Sequence, residues 1–351
     1  MTSARQSTVQ CMWRMSISSS RMEERAGAMT DGDARLRDSF GRIHTYLRLS
    51  VTEACNYRCR YCGPGVVHRG LSDDQLVFLC SLFRSMGIRA LRITGGEPTV
   101  RPGLIPLIAR LSSLGFERLA LTTNGTSLVR DARALKEAGI QSVNVSLDAV
   151  DADLYASLTG GFPVRPVLEG IAAALSEGLA VKLNCVLLAD TYRNQVRQLM
   201  AFARKLGIPL RFIELMPFGD GARWEGVSTA TLVAFLGEEY GEEASPRGPK
   251  GSEPWGSGPA EYRRFGGVDV GFIGALTSCF CSQCQRLRLT NEGQLKTCLY
   301  HPDRLDIRQL LERGSPPEEI CRRIEAFVLR KQPRHAFQTG PVEWPLSSVG
   351  G

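Results

Sequence analysis

The sequence predicts an α/β protein: a partial (β/α)6, TIM-like barrel followed by a smaller C-terminal α+β domain. Three observations predict it. From Arg42 to about Glu239, β-rich runs alternate strictly with helical patterns. Gly87, Gly115, Gly139, Gly178 and Gly207 each close a helical stretch, and a β-rich run begins within a few residues of each. Polar or glycine-rich residues stand at the end of every expected strand. Parallel neighbours need crossover helices, so strict alternation means a parallel sheet. In barrels of this kind chemistry gathers at the C-terminal ends of the strands, which predicts a ligand site across that mouth.

The expected strands are Tyr46–Thr52, Ala90–Thr94, Leu119–Thr123, Ser142–Leu147, Ala180–Leu187 and Leu210–Leu215. After the first comes Ser72-Asp-Asp-Gln75, which reads as a capping box, with Leu76, Leu79, Cys80 and Phe83 on one helical face behind it. Residues 241–261 are rich in Gly, Pro, Ser and Glu and read as a linker. Helical patterns return from about Arg304 to Glu312 and from Pro317 to Lys331. Residues 1–37 divide off as a disordered N-terminal extension, 38–240 as the barrel, 241–345 as the C-terminal domain and 346–351 as a tail. The extension lacks the apolar core of a secretory signal, and Met29-Thr-Asp-Gly-Asp33 reads as a more natural beginning.

The chain has 351 residues, 43% of them hydrophobic, enough for a large domain and a smaller one. No apolar run is long enough to cross a membrane, and a cytoplasmic location is expected. The formal charge of +7 suits an anionic ligand. The arginines are scattered and form no nucleic-acid-binding pattern, which favours a polyanionic small molecule. There are 11 cysteines, six of them in two tight sets, which argues for metal in a reducing compartment over a disulfide framework. Cys80, on a helical face, and Cys185, in a strand, read as buried small hydrophobes.

The first set lies in Ser50-Val-Thr-Glu-Ala-Cys-Asn-Tyr-Arg-Cys-Arg-Tyr-Cys-Gly63, where Cys55, Cys59 and Cys62 are spaced C-x3-C-x2-C. Three thiolates on one loop hold three irons of a [4Fe–4S] cube and leave the fourth open for chemistry. Zinc prefers four ligands in paired knuckles and fits this spacing poorly. Thr94-Gly95-Gly96-Glu97-Pro98 follows the second strand, where glycines let backbone approach a ligand closely. The second set, Cys281, Cys284 and Cys298, is spaced C-x2-C-x13-C. It suits either a second cluster with an open iron or a zinc ribbon short of one ligand, and Cys279 is the candidate for a fourth ligand in either case. Arg286 and Arg288 follow at alternate positions, so a strand presents both on one face. Two guanidiniums so placed suit a phosphate chain through forked hydrogen bonds; the bland alternative is a solvated basic strand.

The first set with its Gly-Gly-Glu-Pro loop resembles the radical SAM superfamily, whose enzymes use S-adenosylmethionine (SAM). From about Asp38 onward the chain resembles one family within it, the GTP 3′,8-cyclases of molybdenum cofactor biosynthesis. The resemblance rests on Leu47-Arg-Leu-Ser-Val-Thr52, Arg92-Ile-Thr-Gly-Gly-Glu-Pro98, Leu121-Thr-Thr-Asn-Gly125, Asn144-Val-Ser-Leu-Asp-Ala149, Arg211-Phe-Ile-Glu-Leu-Met216, Cys281-Ser-Gln-Cys-Gln-Arg-Leu-Arg-Leu289 and the terminal Gly350-Gly351.

It implies a barrel of the radical SAM type, two [4Fe–4S] clusters and SAM, with GTP converted to 3′,8-cyclo-7,8-dihydro-GTP through a 5′-deoxyadenosyl radical. By the same resemblance Cys55, Cys59 and Cys62 bind the N-terminal cluster, and Tyr61, Gly96, Ser146 and Met216 contact SAM. Cys281, Cys284 and Cys298 bind the second cluster, whose open iron meets the guanine. Arg48, Arg92, Thr122, Lys182, Arg286, Leu287 and Arg288 contact GTP, Arg211 lies near the reacting groups, and Gly350 and Gly351 enter the site for cyclisation. Implied partners are an electron donor such as a flavodoxin or ferredoxin and a downstream cyclic pyranopterin monophosphate synthase, for a monomer or homodimer. The chain departs from the family pattern at Gly63, usually Met, in a short loop from Gly63 to Ser72, and in the compressed segment Gly160-Gly-Phe-Pro-Val-Arg165. The alternatives are a related radical SAM enzyme acting on another nucleotide or a peptide, and a non-catalytic zinc-ribbon protein.

Overall fold

The computed structural model describes residues 36–63, 69–243, 258–335 and 342. The N-terminal extension to residue 35, most of the short loop before Ser72, the linker core and the Gly350-Gly351 terminus lie outside the described residues. The strands are β1 (Tyr46–Ser50), β2 (Ala90–Thr94), β3 (Arg118–Thr123), β4 (Ser142–Ser146), β5 (Ala180–Val186) and β6 (Leu210–Ile213), each within two residues of expectation. Between them run α1 (Asp73–Ser85), α2 (Leu104–Ser112), α3 (Leu128–Glu137), α4 (Ala152–Thr159), α5 (Arg165–Ser176) and α6 (Tyr192–Leu206). The later elements are α7 (Thr229–Tyr240), β7 (Glu242–Glu243), β8 (Glu261–Phe265), β9 (Val268–Ile273), β10 (Arg286–Leu289), β11 (Gln294–Lys296), β12 (Leu305–Asp306), α8 (Ile307–Glu312) and α9 (Pro317–Leu329).

Local chemistry sets these boundaries. Ser72 accepts from the Gln75 amide while the Gln75 side chain accepts from the Ser72 amide, so the capping box forms and α1 starts there. Leu76, Leu79, Cys80 and Phe83 are fully buried on its inner face, each worth about 1.5–3 kcal/mol for the larger side chains. Cys185 is buried in β5 as expected. On β1, Leu47 and Leu49 pack into the helical layer, while Tyr46 and Arg48 face the interior. The same alternation on the other strands makes one face of the sheet core and the other a binding surface.

The C-terminal segment does not build a sheet of its own. One sheet runs in the order β12-β11-β10-β1-β2-β3-β4-β5-β6-β9-β8-β7. β9 adds parallel to β6, and β10 adds parallel to β1 at the opposite edge. The sheet stays open, and the chain between β9 and β10 passes from one edge to the other. Leu305 pairs with Leu295 in a short strand, so the helix expected from Arg304 starts at Ile307. No helix among the described residues is long and apolar enough to cross a membrane.

A buried polar knot joins the start of the barrel to the C-terminal segment. Asp38 accepts from Arg42 Nε at 2.6 Å and lies 3.0 Å from His44 Nε2. Arg42 also donates to the carbonyls of Cys281 (2.7 Å), Gln332 (2.8 Å) and Pro333 (3.1 Å). Burial, and after it the Lys331 ammonium, push the His44 imidazole down to about 4. His44 in the fold thus titrates below its unfolded value of 6.5, so the unfolded chain takes up the proton first as pH falls. Stability is then full above 6.5 and lost toward 4, with a slope approaching about 1.4 kcal/mol per pH unit. Denaturant unfolding across this range is expected to show that slope, and His44→Gln is expected to flatten it by about one proton.

Candidate active site

All six cysteines of the two sets line a single cavity of about 310 Å3 inside the open barrel. Cys55, Cys59 and Cys62 follow β1 at its C-terminal end. The second set comes in at the other end. Arg286 is level with Tyr46, the first residue of β1, so Cys284 lies at the N-terminal end of the strands. β11 runs antiparallel to β10, with Lys296 opposite Arg288, and brings Cys298 down to that end. The expected site across the mouth is therefore a site that runs through the barrel, because β10 pairs beside β1 and draws the second set beneath it.

Between the two ends lies a row of cations. Register places Arg288, Arg48 and Arg92 side by side, with Lys296 beyond Arg288. Arg92, Arg288 and Lys296 are buried. Burial, and after it the Arg288 charge, hold Arg48 well below the usual arginine range. Burial and Arg286 bring Arg288 down to about 10, and burial brings Lys296 to about 8. Arg211 on β6 is lowered by burial and by Arg92. Among the described residues, the carboxylates lining the cavity are Glu97 and Asp148, both beyond the strands' C-terminal ends. Like charges in a low-dielectric interior repel strongly, so the row is arranged for an anion. The Oδ1 atoms of Asn144 and Asn184 and the Nε of Arg211 are buried without hydrogen-bond partners and belong to residues lining the same cavity. Arg92 donates to the Tyr46 hydroxyl and, at 3.4 Å, to Thr122.

At the upper end the loops after β1 and β2 are laced together. Gly96 N donates to Thr52 O and Glu97 N to Ala54 O, both at 2.8 Å. The Glu97 carboxylate accepts from Thr123 Oγ1 (2.7 Å) and Asn124 N (2.6 Å), which ties in the loop after β3. Tyr61 donates to Asp148 at 2.7 Å, and burial raises the Asp148 carboxyl to about 6. Tyr57 stacks on Phe162 at 4.4 Å, so the Gly160–Arg165 segment packs against the cysteine loop. Gly63 has φ +72, a left-handed conformation that favours glycine. A Cβ on Gly96 would lie 2.4 Å from Glu53 O and 2.6 Å from Ala54 O. Gly96→Ala is expected to wedge the two loops apart at about 1–3 kcal/mol, measured by denaturant unfolding, with the circular dichroism of the fold retained.

At the lower end the second set is held from two sides. Arg42 fixes the Cys281 carbonyl. The Lys331 ammonium reaches Arg286 O at 2.9 Å, Cys284 O at 3.3 Å and Cys284 Sγ at 3.5 Å. The passage that leads down to it starts at the upper end, where Glu214, past the end of β6, accepts from Thr229 N, Leu276 N and Thr277 N at 2.8–3.0 Å. Burial raises the Cys284 thiol, but Arg286 and Lys331 outweigh it and bring it down to about 6. This makes a thiolate ready for metal. Three-thiol sets at both ends fit iron–sulfur clusters with one iron each left open.

Tyr61, Gly96, Ser146, Met216, Arg48, Arg92, Thr122, Arg211, Arg286 and Arg288 all line the cavity with the cysteines. Two expected contacts differ. Leu287 faces the other way, fully buried in the core, because alternation on β10 turns it from the face of its neighbours. Lys182 is enclosed at 2% exposure and does not line the cavity. The sequence reading missed Tyr46, Asn144 and Asp148 as site residues, although each stands two residues from a chosen one on the same strand or its end. Lys296 and Lys331 carried no local signal.

Two family models match. Residues 49–203 match the Radical SAM superfamily and residues 208–337 match Molybdenum Cofactor Synthesis C. The chain is 37% identical over 330 residues to a GTP 3′,8-cyclase of Pelotomaculum thermopropionicum, covering 90% of this chain and 100% of that one. It is 41% identical over 345 residues to a GTP 3′,8-cyclase of Streptomyces coelicolor, covering 93% and 99%. Among solved structures, Streptococcus suis SuiB bound to S-adenosylmethionine matches with a TM-score of 0.59 and 13% identity, over 81% of this chain and 69% of that one. That likeness concerns the fold alone.

Proposed function

The chain belongs to the GTP 3′,8-cyclase family of radical SAM enzymes, and from that membership we propose how its own residues carry out the reaction. It is an enzyme that converts GTP to 3′,8-cyclo-7,8-dihydro-GTP in the first step of molybdenum cofactor biosynthesis. A [4Fe–4S] cluster and SAM serve it, and together they supply the 5′-deoxyadenosyl radical that takes the 3′ hydrogen of the ribose.

The observation that carries the proposal is the cation row lying between two three-cysteine sets in one cavity. Cys55, Cys59 and Cys62 hold the SAM-cleaving cluster. Tyr61, Gly96, Ser146 and Met216 surround SAM, with Asp148 orienting Tyr61. Cys281, Cys284 and Cys298 would hold a second cluster, whose open iron would give the guanine an anchor. Arg48, Arg92, Arg286 and Arg288 grip the triphosphate, with Thr122 beside them and Lys182 enclosed behind. The ribose is thereby held between the two ends. Such positioning and the exclusion of water and competing hydrogen donors are what the protein contributes. Arg211 lies on the far side of this space. The chain divides by role at about residue 240 into the SAM-cleaving part, 38–240, and the part that holds the second cluster, 241–345.

Gly350 and Gly351 complete the site. Val342 bridges to Phe218, beside Met216, with Val342 N donating to Pro217 O at 2.8 Å. Gly351 lies nine positions beyond Val342, a reach of up to about 30 Å. The reducing electron comes from a small carrier such as a flavodoxin or ferredoxin, and a cyclic pyranopterin monophosphate synthase consumes the product. The test is anaerobic incubation of the reduced protein with SAM and GTP. The cyclised nucleotide and 5′-deoxyadenosine are expected together. Formation of 5′-deoxyadenosine only with another nucleotide or a peptide would overturn the assignment.

A further inference from the structure

We infer that Cys279, Cys281 and His335 form a site for a single soft divalent cation, zinc or ferrous iron, at the lower rim of the cavity. Their ligand atoms all lie within 4.8 Å of one another. The chain brings them together from two directions. Cys279 and Cys281 flank Phe280 in the passage from β9 to β10, and His335 arrives from the stretch after α9. Arg42 holds both approaches in place, since one guanidinium donates to Cys281 O and to the carbonyls of Gln332 and Pro333.

The donor chemistry and the spacing point to one ion. Zinc takes thiolate at about 2.3 Å and imidazole at about 2.0–2.1 Å, so donors in a filled tetrahedral shell stand within about 4 Å of one another. The three ligand atoms are already close to that spacing. Thiolates on different irons of a cube stand apart by the width of the cube, so Cys279 and Cys281 suit a shared ion better than two corners. Cys279 is exposed and the other two are partly so, which gives an ion access and leaves a fourth position for water. Cys281 belongs both to this set and to the proposed second cluster. The two occupancies therefore exclude each other: a bound single ion withholds Cys281, and cluster assembly takes it back. This site stands on its own geometry and does not depend on which nucleotide the cavity binds.

Cobalt(II) is the probe, added to the full-length, cluster-free chain in a Cys55→Ala, Cys59→Ala, Cys62→Ala background that removes the first set. One equivalent is expected to give the intense visible bands of a tetrahedral thiolate site, bleached by zinc. Cys279→Ser and His335→Ala are each expected to abolish the bands and weaken zinc by about a hundredfold or more, whereas Cys284→Ser and Cys298→Ser keep them. In parallel, Cys279→Ser in the otherwise native chain is expected to take up the parent's full iron and sulfide on anaerobic reconstitution. Bands that survive Cys279→Ser but vanish with Cys284→Ser or Cys298→Ser overturn the site, as does absence of cobalt binding. Loss of iron in Cys279→Ser overturns it too, by making Cys279 a cluster ligand.

Discussion

Arg48→Met is expected to make the ligand-free protein more stable and GTP binding weaker, two effects of opposite sign from one side chain. Arg48 stands level with Arg288 on one side and Arg92 on the other. Its guanidinium is desolvated and repelled by both neighbours, which is why it is held below its usual range. Methionine keeps much of the stem's volume and removes the half-buried charge. The gain on unfolding is expected at about 1–2 kcal/mol, since replacing buried charge by packed apolar groups is often neutral or stabilising. The loss of a charge-assisted hydrogen bond to phosphate is expected at about 1.5–3 kcal/mol, or roughly ten- to a hundredfold in GTP affinity. Denaturant unfolding with and without GTP reads both effects together, because GTP stabilises the folded state in proportion to its affinity. Iron and sulfide content should not change. A variant that unfolds more easily without GTP and binds it unchanged would make Arg48 a structural cation and defeat its assignment to the triphosphate.

That prediction turns on depth within the barrel, the property least legible in the sequence. Strand limits were legible because glycines with left-handed backbone, such as Gly87 and Gly207, stop the helices locally. The partners within each cysteine set were legible because spacing along a loop is local. That Arg48, Arg92 and Arg288 share one level follows from the register of three strands, two of them about 240 residues apart in the chain. Nothing local in Arg286–Leu289 says that it pairs beside β1. The same long-range pairing puts the second cysteine set at the opposite end from the first. Leu287 shows the same limit: a strand divides the run Arg286–Leu289 between two faces and turns the Leu287 side chain into the core. Lys331 escaped notice because its ammonium reaches Cys284 from the end of a helix 47 residues on.

The separation of the two sets gives the largest effect of all. Wild-type protein reconstituted anaerobically is expected to carry about eight irons and about eight sulfides per chain, and loss of either set is expected to remove about half. Losses at the two ends should be independent, because different contacts hold them. The upper loop rests on the Gly96–Thr52 and Glu97–Ala54 hydrogen bonds, and the lower set on Arg42 and Lys331. The functional consequences should nevertheless differ completely. Cys55→Ser with Cys59→Ser and Cys62→Ser is expected to abolish 5′-deoxyadenosine formation while GTP still binds. Cys281→Ser with Cys284→Ser and Cys298→Ser is expected to retain SAM cleavage, uncoupled from cyclisation. In that second variant Arg48, Arg92 and Arg288 still face the triphosphate, but nothing of the cluster remains to distinguish guanine. ATP should then compete nearly as well as GTP, whereas in the wild type it should compete poorly. Iron and sulfide analysis, 5′-deoxyadenosine assay and competition binding together check this. Full iron retained after loss of the second set, or both clusters lost after removal of either, would refute two separate clusters at opposite ends of one cavity.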